Sequence, residues 1–142
     1  NARLAYQVFE ESLASDRWRA LAERGARPQR PLWASTGVKD PAYEDTRYVV
    51  ELVGPDIVNT MPELTLRALA DHGKPRPGTA SSGRAEASTV LGDLASLGVD
   101  MDDVTRTLER EGLEKFAADW NDLLSSLRQR LSTTDARAHP AP

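Results

Sequence analysis

Apolar residues recur along most of this chain at three- and four-residue steps, interrupted in two places by short continuous apolar runs. Leu4, Val8, Phe9 and Leu13 keep the helical step and predict an amphipathic helix over residues 2–14. Ser15 and Asp16 offer a cap for a shorter helix that carries Trp18, Leu21 and Ala22 and stops at Gly25. Residues 27–31, Arg-Pro-Gln-Arg-Pro, make a polar, proline-punctuated lead-in. The run Leu32-Trp33-Ala34 then reads as a strand, and Ile57-Val58-Asn59-Thr60 as a second. Between them lie the small-residue loop Ser35-Thr36-Gly37-Val38-Lys39 and a helix through Tyr48, Val49, Leu52 and Val53. Gly54 is expected to end that helix as a left-handed cap, with Pro55 unable to continue the turn. Pro62 stands near the first position of another helix, which Gly73 closes. Strand, helix, strand, helix is the order of a parallel sheet covered by helices.

Residues 74–83 are dominated by proline, glycine and hydroxyl side chains, and read as an irregular linker. Three helices are expected after it. The first carries Ala87, Val90, Leu91, Leu94 and Leu97 up to Gly98. The second runs from a cap at Asp100, with Asp103 in its first turn, through Val104 and Leu108 to Gly112. The last holds the best stripe in the chain: Leu113, Phe116, Trp120, Leu123, Leu124, Leu127 and Leu131. Such a stripe needs a broad apolar surface to cover it, and two short strands do not supply one. Residues 132–142 lose the period and are expected to be a disordered tail.

Composition narrows the function classes. With no cysteine among 142 residues, a disulfide framework, a thiolate nucleophile and a thiolate metal site are all excluded. A net charge of −4 argues against nucleic acid as partner, because affinity for a phosphate backbone comes from clustered Lys and Arg. No apolar run approaches the roughly 18 residues of a membrane span and no secretory signal stands at the start, so no membrane partner and a cytoplasmic location are expected. The chain opens Asn1-Ala2-Arg3-Leu4, without Met and already in a helical pattern. It therefore reads as a piece of a longer protein, with its partner segment upstream.

Two stretches carry a family resemblance. LWASTGVKDPAYEDTRYVVELVGPDIVNTMPELTLRALADHG resembles the region of the last two barrel strands of transaldolase in its longer bacterial form. GVDMDDVTRTLEREGLEKFAADWNDLLSSL resembles that family's C-terminal helical segment. The ordered WAST, VNTMP and EGLEKF pieces carry the likeness together. It implies an α/β fold, mostly helical by content: the C-terminal portion of a (β/α)8 barrel, its last two strands and their helices, with a helical C-terminal extension. On this reading residues 1–131 form the barrel part. Helices at 1–25 precede the seventh strand, 30–73 are the last two βα units, and 84–131 are the C-terminal helices.

The resemblance also implies a reaction: transfer of a dihydroxyacetone unit between sugar phosphates through a lysine Schiff base, with no cofactor. The sugar phosphates are then the substrates, and the upstream part of the same enzyme is the partner. The catalytic lysine belongs to an earlier strand in that family, so no catalytic residue is expected in this chain. Ser35 matches a serine that binds the sugar phosphate. Gly37 stands at the spacing of the arginine of the shorter forms, and Lys39 is the cation that follows. The residue types suit the role, because a hydroxyl, free backbone N–H groups and a cation at the C-terminal end of a barrel strand can hold a phosphate. Lys39 in a polar loop beside Asp40 lacks the desolvation an imine-forming amine needs. Lys74 falls in the linker and Lys115 on a helix face.

Asn59 and Thr60, ending the second strand, are candidates to line the pocket, and Thr60 could equally cap the next helix. Asp100, Asp102 and Asp103 are better explained by capping than by acid–base work. His72 and His139 have no metal-ligand spacing to any other residue, so no metal site is expected. Phe116 and Trp120 suit helix-on-barrel packing. Two other functions fit the same residues: a class I aldolase like fructose-6-phosphate aldolase, and a non-catalytic helical interaction module. A strand-borne lysine encoded upstream would mark an enzyme, and an unrelated upstream domain would mark the module.

Overall fold

The computed structural model describes residues 1–138, with side chains through residue 132. Two compact units divide the chain, Asn1–Asp93 and Leu94–Pro142. Most of it is helical, and the described sheet has two short parallel strands.

The first unit opens on α1 (Ala2–Ala14) and α2 (Asp16–Ala22). Ser15 separates them, its hydroxyl accepting the Trp18 N–H at 3.2 Å as an N-cap, and Gly25 leaves α2 with φ +87. Strands β1 (Leu32–Trp33) and β2 (Val58–Asn59) pair in the register Leu32 to Val58 and Trp33 to Asn59. Helix α3 (Arg47–Val50) lies between them in sequence and α4 (Glu63–Asp71) follows.

Helix α3 is shorter than its apolar pattern suggests. Leu52 and Val53 are drawn out of it by tertiary hydrogen bonds. The Trp33 indole N–H donates to the Leu52 carbonyl at 3.2 Å, and the Val53 N–H donates to the Thr79 hydroxyl at 2.9 Å. Thr79 in turn donates to the Val50 carbonyl at 2.9 Å, satisfying one of the orphan acceptors at the end of α3. The Ala80 N–H adds a bond to the Val53 carbonyl at 3.0 Å, and Ala80 is fully buried. The stretch over 74–83 is therefore a clamp on α3 and not a linker: its composition describes its irregular backbone and says nothing of where it docks.

Gly54 does not take the left-handed conformation expected of it; Asp56, at φ 59, takes it instead. The reason for glycine at 54 is close approach. A Cβ there would sit 2.8 Å from Ile57 Cδ1 and 3.0 Å from the hydroxyl of Tyr6. Tyr6 is the largest fully buried side chain, and its hydroxyl donates to the Pro55 carbonyl at 3.0 Å while its ring stacks on Phe9 at 5.8 Å. Charge pairs support the same junction: Arg3 with Glu51 at 3.6 Å, and Arg84 with Glu10. Helix α5 (Arg84–Ser96) begins at that second pair.

In the second unit, Gly98 follows the end of α5 with φ +85, and Asp100 caps α6, accepting N–H groups of Asp102 at 2.9 Å and Asp103 at 3.2 Å. Helix α6 (Met101–Ala138) is one continuous helix where two were expected, and it extends past Leu131 into the expected tail. Gly112 does not stop it. An interior glycine costs about 1 kcal/mol relative to alanine, and the strong helix formers on both sides, Leu108 to Glu111 and Leu113 to Lys115, outweigh one such cost. His139 and the residues after it lie outside the described residues.

Candidate functional site

Parallel pairing brings the C-terminal ends of β1 and β2 side by side, so the residues just beyond them meet. The Thr60 N–H donates to the Trp33 carbonyl at 2.9 Å and the Thr36 N–H to the Thr60 carbonyl at 3.2 Å, carrying the ladder past both strands. Ser35 sits between these two bonds with φ 56, in the left-handed region. An L-residue there costs about 1–2 kcal/mol, so the surroundings must hold it. Its N–H reaches the Thr60 hydroxyl at 3.4 Å. The Ser35 side chain is exposed and shares a shallow concavity with Thr60, Met61 and Pro62.

Asn59 is placed differently. Its register with Trp33 puts both on one face of the sheet, and the Trp33 indole is bonded to the segment after α3. Asn59 meets Thr36 instead, at 2.6 Å between Oδ1 and the threonine hydroxyl. That length suits an O–H···O bond and is short for an N–H···O one, so the hydroxyl donates and the amide NH2 is left over. Of the two residues expected beside the pocket, Thr60 lies next to Ser35 and Asn59 turns to Thr36. Thr60 makes no cap for α4. Thr36 itself, 6% exposed, is the residue that sequence reasoning missed. A buried threonine inside a polar loop has no periodic or spacing signal.

Lys39 is exposed and has no hydrogen bond or ion pair among the described residues. Asp40 does not engage it; its carboxylate accepts the Ala42 N–H at 2.9 Å and stays within its own turn. Gly37 is pressed against the start of α4, where a Cβ would meet Pro62 Cγ at 2.9 Å and Cδ at 3.2 Å. No side chain fits at 37 unless Pro62 moves, so the loop's cation stands two positions later. Lys74 and Lys115 are exposed as well. No cluster of three or more histidine or carboxylate side chains suited to a metal ion occurs among the described residues, and no described helix is long and apolar enough to cross a membrane.

A second polar cluster lies at the end of α4. His72 Nε2 is 2.9 Å from Asp45 Oδ1 and its Nδ1 is 3.2 Å from Asp71 Oδ2, so both ring nitrogens can donate when the ring is charged. The hydrogen bond to Asp45, then that to Asp71, raises the His72 pKa above its ordinary value. Because the folded value is the higher one, this contribution to stability is complete below about pH 6.5 and is lost as pH rises through the raised pKa. Replacing His72 with Asn should therefore destabilise the protein more at pH 6 than at pH 9. Urea unfolding of both forms at the two values, in a protein of the relatives' full length, checks this, and an equal loss at both would show that His72 is uncharged in its pair.

Comparison with known proteins adds to this geometry. A family model described as Transaldolase/Fructose-6-phosphate aldolase matches residues 1–127. A protein named transaldolase from Renibacterium salmoninarum is 59% identical over 133 residues, covering 94% of this chain and 36% of the relative. One from Saccharopolyspora erythraea is 57% identical over 131 residues, with 92% and 36% covered. One from Thermobifida fusca is 54% identical over 132 residues, with 93% and 36% covered. The chain thus spans about 36% of the length of the curated relatives it matches.

Proposed function

The chain belongs to the transaldolase/fructose-6-phosphate aldolase family, and from that premise we propose that it is part of a transaldolase whose phosphate-binding mouth it helps to build. The reaction moves a dihydroxyacetone unit from sedoheptulose 7-phosphate to glyceraldehyde 3-phosphate, giving erythrose 4-phosphate and fructose 6-phosphate. β1 and β2 are then the last two strands of a (β/α)8 barrel, and their C-terminal ends lie on its catalytic face. In this role Ser35 donates its hydroxyl to the sugar phosphate, the N–H groups of residues 37–39, which meet no backbone acceptor among the described residues, do the same, and Lys39 supplies the charge. Thr60 lines the mouth beside Ser35. Helices α5 and α6 provide helical cover. A cytoplasmic site of action goes with these substrates.

The observation that carries the reading is Ser35, held in a strained conformation at the end of a parallel strand with its side chain exposed. Strain that the surroundings maintain around an exposed polar side chain marks a working position. The imine-forming lysine lies outside residues 1–142, because Lys39, Lys74 and Lys115 are all exposed and an imine-forming amine needs desolvation or neighbouring cations. Borohydride reduction of the full-length enzyme with fructose 6-phosphate should trap the sugar as a secondary amine, and peptide mapping should place it outside 1–142. An adduct on any of these three lysines would overturn the assignment. The family description also covers an aldolase, which would release free dihydroxyacetone without an acceptor. The names of the relatives favour transfer.

A further inference from the structure

We infer that Thr36 is a positioning residue for the phosphate site: its buried hydroxyl and backbone hold Ser35 in the left-handed conformation that presents its side chain to a phosphorylated ligand. The inference rests on the reading of Ser35 as a phosphate ligand. Ser35 by itself has little to keep it there. Its own N–H bond to Thr60 is 3.4 Å long, near the limit of a hydrogen bond, and its side chain is in solvent.

The restraint comes from the next residue. Thr36 is nine-tenths buried and is tied to the end of β2 through its N–H, which donates to the Thr60 carbonyl at 3.2 Å, and through its hydroxyl, which lies 2.6 Å from Asn59 Oδ1 and 3.3 Å from the Thr60 carbonyl. On the other side, Trp33 is held by the Thr60 N–H and by its indole bond to Leu52. With both flanks fastened to one partner strand, the backbone between them must make the tight turn, and Ser35 takes the positive φ. Gly37, wedged on Pro62, stops the loop from relaxing forward. Thr60 contributes through its backbone as well as its hydroxyl, so Thr36 is the member whose side chain can be removed with the rest of the site left in place.

The test uses the full-length enzyme. Thr36→Val keeps the shape and removes the donor. It should raise KM for fructose 6-phosphate about tenfold with kcat within about twofold, because a misplaced phosphate ligand weakens binding without touching the imine. The inhibition constant of inorganic phosphate should rise by a similar factor, and Thr36→Ser should restore both values. A hydroxyl that only stabilised the fold would lower the melting temperature and leave KM and phosphate inhibition unmoved. Ser35→Ala is measured alongside. If it raises KM while Thr36→Val does not, the positioning role is wrong and the phosphate reading stands. If neither variant moves KM or phosphate inhibition, both fail. Should Thr36→Val not accumulate as folded protein, Thr36→Ala is judged by the same criteria.

Discussion

Residues 1–142 produced on their own are expected to show no cooperative thermal transition and to associate in solution. Among the described residues the buried apolar side chains are Tyr6, Val49 and Ala80, too few to offset the conformational entropy of ordering such a chain. Among the described residues β1 and β2 pair only with each other, so each leaves an outer edge of unpaired backbone groups open to other chains. Along α6, Phe116 is 79% exposed and Trp120 60%, within a stripe that continues to Leu127 and Leu131. A contiguous apolar stripe of that length on a helix drives association unless something covers it. Calorimetry and light scattering at several concentrations would read both effects. A sharp transition in a monomeric preparation would show that the chain folds alone, and would count strongly against reading it as part of a barrel.

In the full-length enzyme, Lys39→Ala should raise the Michaelis constant for phosphorylated sugars about tenfold or more, because a charge-assisted contact of this kind contributes about 1.5–3 kcal/mol. The geometry leaves Lys39 open to that contact, since Asp40 is occupied by its own turn and no other carboxylate among the described residues holds the amine. Turnover should change little, because the covalent step uses another lysine. Raising ionic strength should narrow the gap between the two forms, as it does for any exposed charge. An unchanged Michaelis constant would assign the phosphate to Ser35 and the backbone N–H groups, and would return Lys39 to solvent.

Much of the architecture around the site was legible beforehand because it depends on near neighbours in the chain. Ser15 and Asp100 act as caps through N–H groups only two or three residues away. The strands at Leu32 and Val58 show as short apolar runs bounded by turn residues, and the βαβ order implies that they run parallel. Ser35 stands out as a candidate through its likeness to a family serine, together with the rule that barrel strands present function at their C-terminal ends. Gly112 is no stop, because a single glycine is a weak local signal beside strong helix formers on both sides. The docking of 74–83 on the end of α3 is not legible in its composition, which describes backbone irregularity alone.

What the sequence determined by itself is thus most of the elements, their order and the family. Tertiary structure alone decided why Gly54 must be glycine, how Thr79 ends α3, and that Thr36 is bonded to Asn59 and Thr60. Each of these joins residues well separated in the chain: Gly54 with Tyr6, Thr79 with Val50 and Val53, Thr36 with Asn59 and Thr60. Helical and strand periods record which face a residue occupies, but not which distant residue will meet it. A single hydroxyl facing one carbonyl or amide across the fold leaves no periodic trace, and it is contacts of that kind that join Thr36 to Asn59 and Thr60.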